Sequence, residues 1–401
     1  MTLLAFLGTL SAFGPFVMDM YLPTLPEMAE HFATGPSMVQ LSLTSGMVGL
    51  GVGQLVFGPM SDRHGRRRTL VGALLLFLLS TLGCLFAVGI GQFVVLRFFQ
   101  GVAGAGGVVI SRSIAADRYE GSRLTSTLAI VSTINGVATV AAPVAGGLMA
   151  GTGGWREIFW VLFALGVVLL AMCTGFDESL PVERRSGGGW RQLRAGFTSV
   201  LRNRPYAVHT AQYGFTMVVL FANIASAPFL MQGRYGLTPR EFSLCFGANA
   251  VAMVIASGVT ARFRSMQRVL RTGGRFMPAL SLVLLVVLWM RADFWVYEGL
   301  LFLLMAALGL TQTAASTLAM AVERDNAGTA SALLGAAGFA CGGLVSPLAG
   351  LGDPGLTAGL LFLGGSLCTW ACTRLRAAAY PGVAGEVVQS VSRVHGAASR
   401  G

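Results

Sequence analysis

Two charged side chains, Asp19 and Arg97, each lie inside a long apolar run of the sequence. Counted at 1.5 Å per residue from the outer end of each run, Asp19 lies about 12 Å deep and Arg97 about 9 Å deep. Burial of such a carboxylate favours the neutral acid, whereas a neighbouring guanidinium favours the charged form, so a small rearrangement can move a proton. The pair predicts a proton-binding site. Two simpler interpretations stay open: a shorter first helix places Asp19 at the outer interface, and Arg97 extends its side chain to that interface.

The connection between the second and third apolar runs is short and strongly basic, reading GPMSDRHGRRR from Gly58 to Arg68. Gly58 and Gly65 permit sharp turns and close backbone contacts, and Asp62 supplies one negative charge among the arginines. Charge pairs can hold such a loop and release it when they separate. The alternative is a loop whose arginines only orient the chain in a membrane.

The composition shows which elements must position these residues. Of 401 residues, 54% are apolar and only 11% are charged, and the mean hydropathy is +0.70, which excludes a soluble globular protein. About 20 apolar residues cross a bilayer as a helix. The sequence predicts twelve such spans, at roughly 3–27, 37–60, 69–89, 91–114, 124–150, 157–176, 206–230, 238–261, 273–291, 294–321, 328–352 and 355–375.

The arginines are distributed by loop, and the chain contains no lysine. Twenty-two arginines fall in loops and tails on the side of the N-terminus, and four fall in loops on the other side. This asymmetry predicts a multi-pass membrane protein with both termini in the cytoplasm. Although the net charge is +11, the charges follow the topology and do not cluster on one domain, so we expect no nucleic-acid partner.

Short motifs recur at about half the length of the chain. The segment PVAG at Pro143 returns as PLAG at Pro347, 204 residues later, and Asp117-Arg118 is matched by Glu323-Arg324, 206 residues later. The offsets predict a duplicated unit of six spans. The expected divisions are an N-terminal bundle at 1–176, a cytoplasmic linker with an amphipathic helix at 177–205, a C-terminal bundle at 206–376 and a disordered cytoplasmic tail at 377–401.

Large, adaptable side chains in the first and seventh spans, with one glutamine of the fourth, predict a substrate cavity, although each could equally serve packing. The candidates are Phe13, Phe16, Met20, Tyr21, Gln100, Tyr213, Met217, Phe221 and Asn223. Glu298, near an outer end, is the one acid evident inside the later spans, which favours a neutral or singly charged lipophilic ligand. The histidines and cysteines lack metal-site spacing and no nucleophile motif occurs, so neither a metal site nor an enzyme is expected.

The basic connection has the pattern G-P-x-S-D-R-x-G-R-R-R, which resembles the loop between spans two and three of the major facilitator superfamily. Other segments resemble the bicyclomycin and chloramphenicol resistance (Bcr/CflA) branch of that superfamily: MDMYLPTLP, GQLVFGPMSDR, WREIFW, ESLPVERR and AGTASALLG. The resemblance covers nearly the whole chain. It implies an all-α membrane protein of twelve transmembrane helices in two pseudo-symmetric six-helix bundles.

The resemblance also implies roles for individual residues. The R-F-x-Q-G spacing at Arg97 is similar to a span-four motif associated with proton coupling. The span-five segment at Pro143, Gly146 and Gly147 resembles an antiporter motif that bends the helix, although Ala142 stands where glycine is common. The residues implied to form a gating latch are Gly58, Asp62, Arg63, Gly65, Arg66, Arg67 and Asp117.

The function implied by the resemblance is efflux of antibiotics in exchange for protons. We expect export of a neutral or singly charged lipophilic drug, phenicol-like or bicyclomycin-like, by alternating access in the plasma membrane of a bacterium. The proton-motive force would drive export without a bound cofactor, and the protein would act as a monomer among membrane lipids. The alternative within transport is a proton-coupled importer of a small nutrient.

Overall fold

The computed structural model describes residues 3–185, 198–263, 265–323 and 327–379. Within these ranges no residue lies in a β-strand, and twelve segments are long and apolar enough to cross a membrane. The predicted all-α, twelve-span fold is therefore confirmed. In chain order, spans 1 to 12 are Leu3–His31, Pro36–His64, Arg66–Leu85, Ile90–Arg118, Ser126–Gly151, Gly153–Thr174, Arg204–Arg234, Pro239–Val259, Met266–Trp289, Phe294–Val322, Thr329–Gly350 and Pro354–Arg374.

Most spans are single α-helices, because long apolar runs with few interruptions satisfy their backbone hydrogen bonds internally. The helices are Leu3–Asp19, Leu25–His31, Pro36–His64, Arg66–Leu85, Ile90–Arg118, Gly121–Thr174, Arg204–Pro228, Pro239–Val259, Met266–Trp289, Phe294–Val322, Ala327–Val345 and Pro354–Ala379. Short 3₁₀ segments at Leu22–Thr24, Val182–Arg184, Thr260–Arg262 and Leu348–Gly350, and a π-helical turn at Phe229–Arg234, extend or connect them.

Span 1 and the pair formed by spans 5 and 6 depart from regular helix. The first helix of span 1 ends at Asp19, and the chain continues through the 3₁₀ segment Leu22–Thr24 before Leu25–His31 begins. Proline occupies the start of both later pieces, where its missing N–H costs no helical hydrogen bond. Spans 5 and 6 share the stretch Gly121–Thr174, in which Gly154 adopts φ 68° and ψ −167° and reverses the chain.

Spans 1 to 6 pack mainly on one another, as do spans 7 to 12. The two halves meet where span 2 contacts span 11 and where span 5 contacts span 8. The predicted amphipathic helix of the linker falls largely on residues 186–197, which lie outside the described residues, as do residues 380–401 of the predicted tail. The last helix continues to Ala379, three residues beyond the predicted end of the second bundle.

The two membrane faces can be named by their loops. We call the side of the Gly65 turn the arginine-rich face and the side of the loop between spans 1 and 2 the opposite face. Among the described residues, the side-chain hydrogen bonds that join the halves lie near the opposite face: Ser37 Oγ to Pro347 O at 2.9 Å, Gln40 Nε2 to Ala225 O at 2.9 Å and Gln232 Nε2 to Pro23 O at 2.9 Å. The halves are therefore closed together at the opposite face.

Candidate functional site: an intramembrane carboxylate at the junction of the two halves

Asp19 occupies the last position of the first helix of span 1, where the helix breaks. Its side chain is partly buried and borders a small cavity of about 50 Å³ between the halves. Thr139 of span 5 also lines this cavity and, like Asp19, belongs to the N-terminal half. The other residues that line the cavity belong to the C-terminal half: Leu220, Asn223, Ile224, Phe246, Asn249, Ala250, Met253 and Met305. A carboxylate is thus present at the contact surface of the two bundles.

Arg97 lies inside the N-terminal bundle with no exposed surface. Its Nη1 donates to Val17 O at 3.0 Å and to Gln100 Oε1, and its guanidinium carbon lies 4.3 Å from the centroid of the Tyr21 ring. The guanidinium atoms Nε and Nη2 have no hydrogen-bond partner. A buried guanidinium with two unpartnered nitrogens is costly, and a cation–π contact offsets part of that cost.

Asp19 and Arg97 are neighbours without an ion pair in this structure. Arg97 is bonded to Val17, two residues before Asp19, and is close enough for its charge to act on the carboxylate. Among the described residues, however, the ion pairs recorded are Arg66 with Asp62 and Asp117, and Arg234 with Asp353. The carboxylate therefore has no ion-pair partner among the described residues, and Arg97 keeps two nitrogens without a hydrogen bond.

Hydrogen bonds fix the residues around Arg97. Gln100 Oε1 accepts from Arg97, and Gln100 Nε2 donates to Thr81 Oγ1 at 2.7 Å. The hydroxyls of Tyr21 and Ser42 lie 3.1 Å apart. Residues of spans 1, 2, 3 and 4 thus belong to one network around Arg97. This network limits the directions in which the Arg97 side chain can move.

Across the cavity from Asp19, two asparagines present unpartnered acceptors. Asn249 Nδ2 donates to Glu298 Oε1 at 2.9 Å, and the amide oxygen of Asn249 has no partner. The amide nitrogen of Asn223 lies 3.7 Å from the sulfur of Met305, and the Oδ1 atom of Asn223 has no partner. Both asparagines are almost fully buried. The cavity can therefore accept hydrogen bonds from a ligand.

The other predicted cavity residues do not gather at this cavity in the present conformation. Phe13 packs on Phe77, Tyr21 lies beneath Arg97, and Gln100 is held between Arg97 and Thr81. The remaining candidates are placed by packing: Phe16 is partly buried, Met20 is buried at the contact with Gly146, Tyr213 and Met217 pack against Gly338, and Phe221 packs against Gly342. Asn223 alone of the predicted set lines the small cavity.

A second polar cluster lies at the arginine-rich face around Arg66, whose side chain is 7% exposed. Arg66 Nε and Nη2 donate to the two carboxylate oxygens of Asp117 at 2.9 and 3.3 Å, and Nη1 donates to Ser61 Oγ and to Asp62. Ser179 Oγ donates to Asp117 at 2.9 Å. These contacts clamp spans 2, 3 and 4 together with the start of the linker.

Glu178 completes this clamp, and it is absent from the predicted site. Its Oε1 accepts from the backbone N–H of Arg66 at 2.8 Å, and its Oε2 accepts from that of Arg67 at 3.2 Å. Gly65, with φ 95°, ends span 2 and starts span 3 at this point, which leaves the first N–H groups of span 3 in need of acceptors. The sequence could indicate that the N–H groups at the start of span 3 need an acceptor. Only the fold reveals that Glu178 is that acceptor.

The other predicted latch residues lie in the helix ends on either side of Gly65, where a loop was expected, because span 2 is helical to His64 and span 3 from Arg66. Arg67 Nη2 donates to Thr174 O at 2.7 Å, Arg63 is exposed, and Gly58 faces Val109 of span 4. Asp62 is bonded to Arg66 within its own half.

The predicted bend in span 5 is a site of close helix contact. A side chain at Gly146 would overlap the carbonyl oxygen of Met20, and one at Gly147 would overlap Ser243 of span 8. Pro143 lies inside the helix of span 5, and the non-helical dihedrals are at Gly154, between spans 5 and 6. The two glycines therefore let span 5 approach span 1 on one side and the C-terminal half on the other.

The family model of the Major Facilitator Superfamily matches residues 4–347. The chain belongs to the Major Facilitator Superfamily. This transporter is 36% identical over 357 residues to the uncharacterized MFS-type transporter YdgK of Bacillus subtilis, covering 87% of the chain and 89% of that relative.

Two further relatives are named for antibiotic resistance. The bicyclomycin resistance protein homolog of Haemophilus influenzae is 29% identical, over 85% of the chain and 87% of the relative. The chloramphenicol resistance protein of Pseudomonas aeruginosa is 33% identical, over 61% of the chain and 57% of the relative. Together with the family match, they support the predicted Bcr/CflA branch.

Solved transporter structures share the fold. The partially occluded inward-open xylose transporter XylE from E. coli aligns with a TM-score of 0.70 at 16% identity, over 96% of the chain and 98% of its own. A mutant form of the nucleoside transporter NupG aligns with a TM-score of 0.75 at 14% identity, over 93% of the chain and 99% of its own. At these identities the likeness establishes the fold, which is that of membrane transporters.

Proposed function

We propose that this transporter is a proton-coupled antiporter that exports neutral or singly charged lipophilic antibiotics. The observation that carries the proposal is the position of Asp19, a carboxylate within a membrane span, at the cavity between the two halves. Ionisable residues within membrane spans are costly and mark ion or substrate pathways. The resistance proteins among the relatives support a drug as the exported compound.

Asp19 is the proposed carrier of the proton, and Arg97 is the proposed residue that controls it. The carboxylate takes a proton when the cavity faces the outside, and it gives up that proton on the inner side when Arg97 turns its unpartnered nitrogens toward it. In this structure, which is closed at the opposite face, Arg97 is bonded to Val17 and Gln100, and this is the proposed arrangement before that turn. One proton crossing 100 mV contributes about 2.3 kcal/mol, which is sufficient for roughly fifty-fold accumulation of a neutral drug.

The proposed orientation has the arginine-rich face in the cytoplasm of a bacterium, together with both termini. The arginine asymmetry of the sequence supports it. In that orientation the halves of this structure are closed on the outer side, where spans 1, 2, 7 and 11 exchange hydrogen bonds. The next step of the cycle separates these contacts and brings the arginine-rich ends of the halves together, with the Gly65 loop as the proposed latch.

The polarity of the cavity limits the substrates that we propose. Apolar side chains such as Phe246 and Met305 line most of it, and the unpartnered oxygens of Asn223 and Asn249 provide acceptors. A lipophilic compound with a few hydroxyl or amide N–H donors fits this pattern. The phenicols and bicyclomycin are the proposed representatives, and protons are the only coupling ion proposed.

Transport in vesicles tests the proposal. The purified transporter, reconstituted with a preset inside-acid gradient, is expected to drive accumulation of radiolabelled chloramphenicol when the cytoplasmic face points outward, and an uncoupler is expected to abolish it. Drug-driven alkalinisation of the lumen, followed with a pH dye, should accompany uptake because a proton leaves for each entering drug. Drug-driven acidification of the lumen would indicate symport and favour a nutrient importer, and transport unaffected by the uncoupler would exclude proton coupling.

A susceptibility panel identifies the compound. Expression in a host without its major drug pumps is expected to raise the minimum inhibitory concentration of at least one phenicol or of bicyclomycin. The Asp19→Asn variant, produced in equal amount, should leave the host sensitive. Full protection by that variant would place the proton site elsewhere.

A further inference from the structure

Three arginines converge in a crevice between spans 9 and 12 that is separate from the cavity at Asp19. Arg271 and Arg275 of span 9 lie one helical turn apart, and Arg374 stands at the end of span 12. With Trp370 and Thr373 they line a cavity of about 220 Å³. The Arg374 guanidinium carbon lies 5.1 Å from the centroid of the Trp370 ring.

No carboxylate neutralises this crevice within the part of the chain that the structure describes. The recorded ion pairs there involve Arg66 and Arg234 and none of the three crevice arginines. Three guanidinium groups around one small cavity repel one another, and water at a membrane surface screens them incompletely. The crevice is therefore a site where a bound anion is stabilising.

The crevice opens on the perimeter of the protein. Spans 9 and 12 pack on each other and on spans 7 and 10, within the C-terminal half. Exposed apolar side chains continue from the crevice toward the opposite face, on span 9 and on span 12. They are Phe276, Leu282, Val283 and Val286, and Leu360 and Leu367, respectively. Such a surface faces lipid chains in a membrane.

We propose that the crevice binds the phosphate of an acidic glycerophospholipid, whose acyl chains lie along the exposed apolar surfaces of spans 9 and 12. Arginine pairs with phosphate through two parallel N–H donors, and basic pockets between spans at the cytoplasmic surface suit such headgroups. Arg271 and Arg275 lie roughly one and two turns into span 9, at the depth of a headgroup. Trp370 has the amphipathic ring typical of that depth.

Two features select a lipid over a free anion or the exported drug. A free phosphate would use the guanidinium groups but leave the adjoining apolar surfaces without a partner. The crevice shares no lining residue with the cavity at Asp19, so the proposal is independent of the transport function. The expected consequence is retention of one acidic lipid by the purified protein.

Native mass spectrometry of the full chain in detergent tests the site. Titrated phosphatidylglycerol is expected to add one tightly bound molecule, and phosphatidylcholine, whose choline offsets the phosphate charge, should bind at least tenfold more weakly. Each arginine replaced by glutamine should weaken phosphatidylglycerol binding about fivefold, equivalent to about 1 kcal/mol. The triple variant Arg271→Gln/Arg275→Gln/Arg374→Gln should lose the tight site.

Arg262→Gln is the matched control, because Arg262 is an exposed arginine at the same face of the same half and does not line the crevice. It should bind phosphatidylglycerol as the unchanged protein does. Equal losses in Arg262→Gln and in the crevice variants would show a diffuse charge effect and overturn the proposal. Inorganic phosphate should not compete at millimolar concentration, and full competition would mean that the site takes a free anion.

A second measurement keeps the test decisive if the triple variant does not fold. Phosphatidylglycerol brominated near the carbonyl ends of its chains should quench the fluorescence of Trp370, obtained as the difference between the unchanged protein and Trp370→Phe. The single variant Arg275→Gln should lower that quenching, whereas brominated phosphatidylcholine should quench weakly. Equal quenching by both lipids would show that Trp370 merely faces bulk lipid.

Discussion

At the residue scale, the charged side chains of the spans differ in whether they have a partner of opposite charge. Arg97 is completely buried and bonded to a backbone carbonyl and to Gln100, whereas Asp19 is partly buried and has no ion-pair partner among the described residues. Arg66, in contrast, satisfies its charge at two carboxylates. Because an unpaired intramembrane charge is expensive, Asp19 and Arg97 are the groups whose state we expect to change during transport.

Replacement of the proposed proton carrier should separate binding from coupling. Asp19→Asn is expected to abolish export against a gradient, because an amide does not cycle a proton at physiological pH, while binding of a neutral drug survives within about threefold. Uphill transport in vesicles and equilibrium binding in detergent measure the two effects. Asp293→Asn is the control, since asparagine also caps a helix and Asp293 caps span 10 at Trp295 N.

Arg97 should act on the same step as Asp19. Arg97→Gln is expected to impair uphill transport, and the double variant with Asp19→Asn should be no worse than Asp19→Asn alone, as for partners in one network. Independent, additive losses in exchange rate would contradict the coupling between the two residues.

At the scale of elements, hydrogen bonds at the ends of spans and close contacts at glycines position the helices relative to one another. Glu178 connects the start of the linker to the first N–H groups of span 3, and Asp117 connects the end of span 4 to Arg66. The glycines of span 5 then bring it against span 1 and span 8. These contacts join elements that are distant in sequence, so single substitutions there should affect helix packing more than ligand chemistry.

Removal of the Glu178 cap should destabilise the N-terminal bundle. Glu178→Ala leaves two N–H groups of span 3 without their acceptor and should lower stability by about 1 kcal/mol, the usual cost of a lost helix cap. Glu178→Gln keeps an acceptor oxygen and should lose less. Thermal unfolding in detergent measures both, with exposed Glu183→Ala as the control; equal melting temperatures for all three variants would contradict the cap.

The close approach of spans 1 and 5 should not tolerate a side chain. Gly146→Ala places a methyl group against the carbonyl of Met20 and should cost about 1–3 kcal/mol, as overpacking does. Gly136→Ala is the matched control in the same span, because nothing lies within 4 Å of the added group. Yield and melting temperature should fall for Gly146→Ala alone, and a stable, active Gly146→Ala would show that span 5 can move away from span 1 without loss.

At the scale of the whole molecule, the proposed transport cycle has the two bundles open and close at their ends around the cavity. Here the halves touch through spans 2 and 11 toward the opposite face, where Gly343 faces Thr44 and Val48. The latch residues at the arginine-rich face make their recorded contacts within the N-terminal half. The proposed transport cycle has these two arrangements exchange.

A cross-link between spans 2 and 11 should lock the conformation seen here. A group at Gly343 lies 3.6 Å from Thr44 Cγ2, so Thr44→Cys with Gly343→Cys is within the range of a disulfide. In a background without the native cysteines, oxidation should stop transport and a reductant should restore it. Each single cysteine variant is the control, and full transport by the cross-linked protein would show that this contact need not open.

The sequence by itself determined the class of fold and the number of spans. Twelve apolar runs, the repeated PVAG and PLAG segments and the basic Gly58 to Arg68 connection predicted the spans and the duplication, because a bilayer forces backbone hydrogen bonds into helices of nearly fixed length. The family branch was also predicted from these motifs and is supported by the relatives. Asp19 and Arg97 were recognised because charges inside apolar runs are rare and therefore informative.

Only the tertiary structure decided which side chains meet. Glu178 caps span 3 from more than 100 residues away, Asn249 reaches the cavity by way of its bond to Glu298, and the crevice arginines come together from spans 9 and 12. The rotation and tilt of the helices decide which of these side chains come into contact. In a bilayer, rotation and tilt depend on small residues and buried hydrogen bonds at helix contacts, because the surrounding lipid is as apolar as the helices. Residues that face lipid and residues that face another helix therefore look alike in the sequence, and the partner of a helix is difficult to predict.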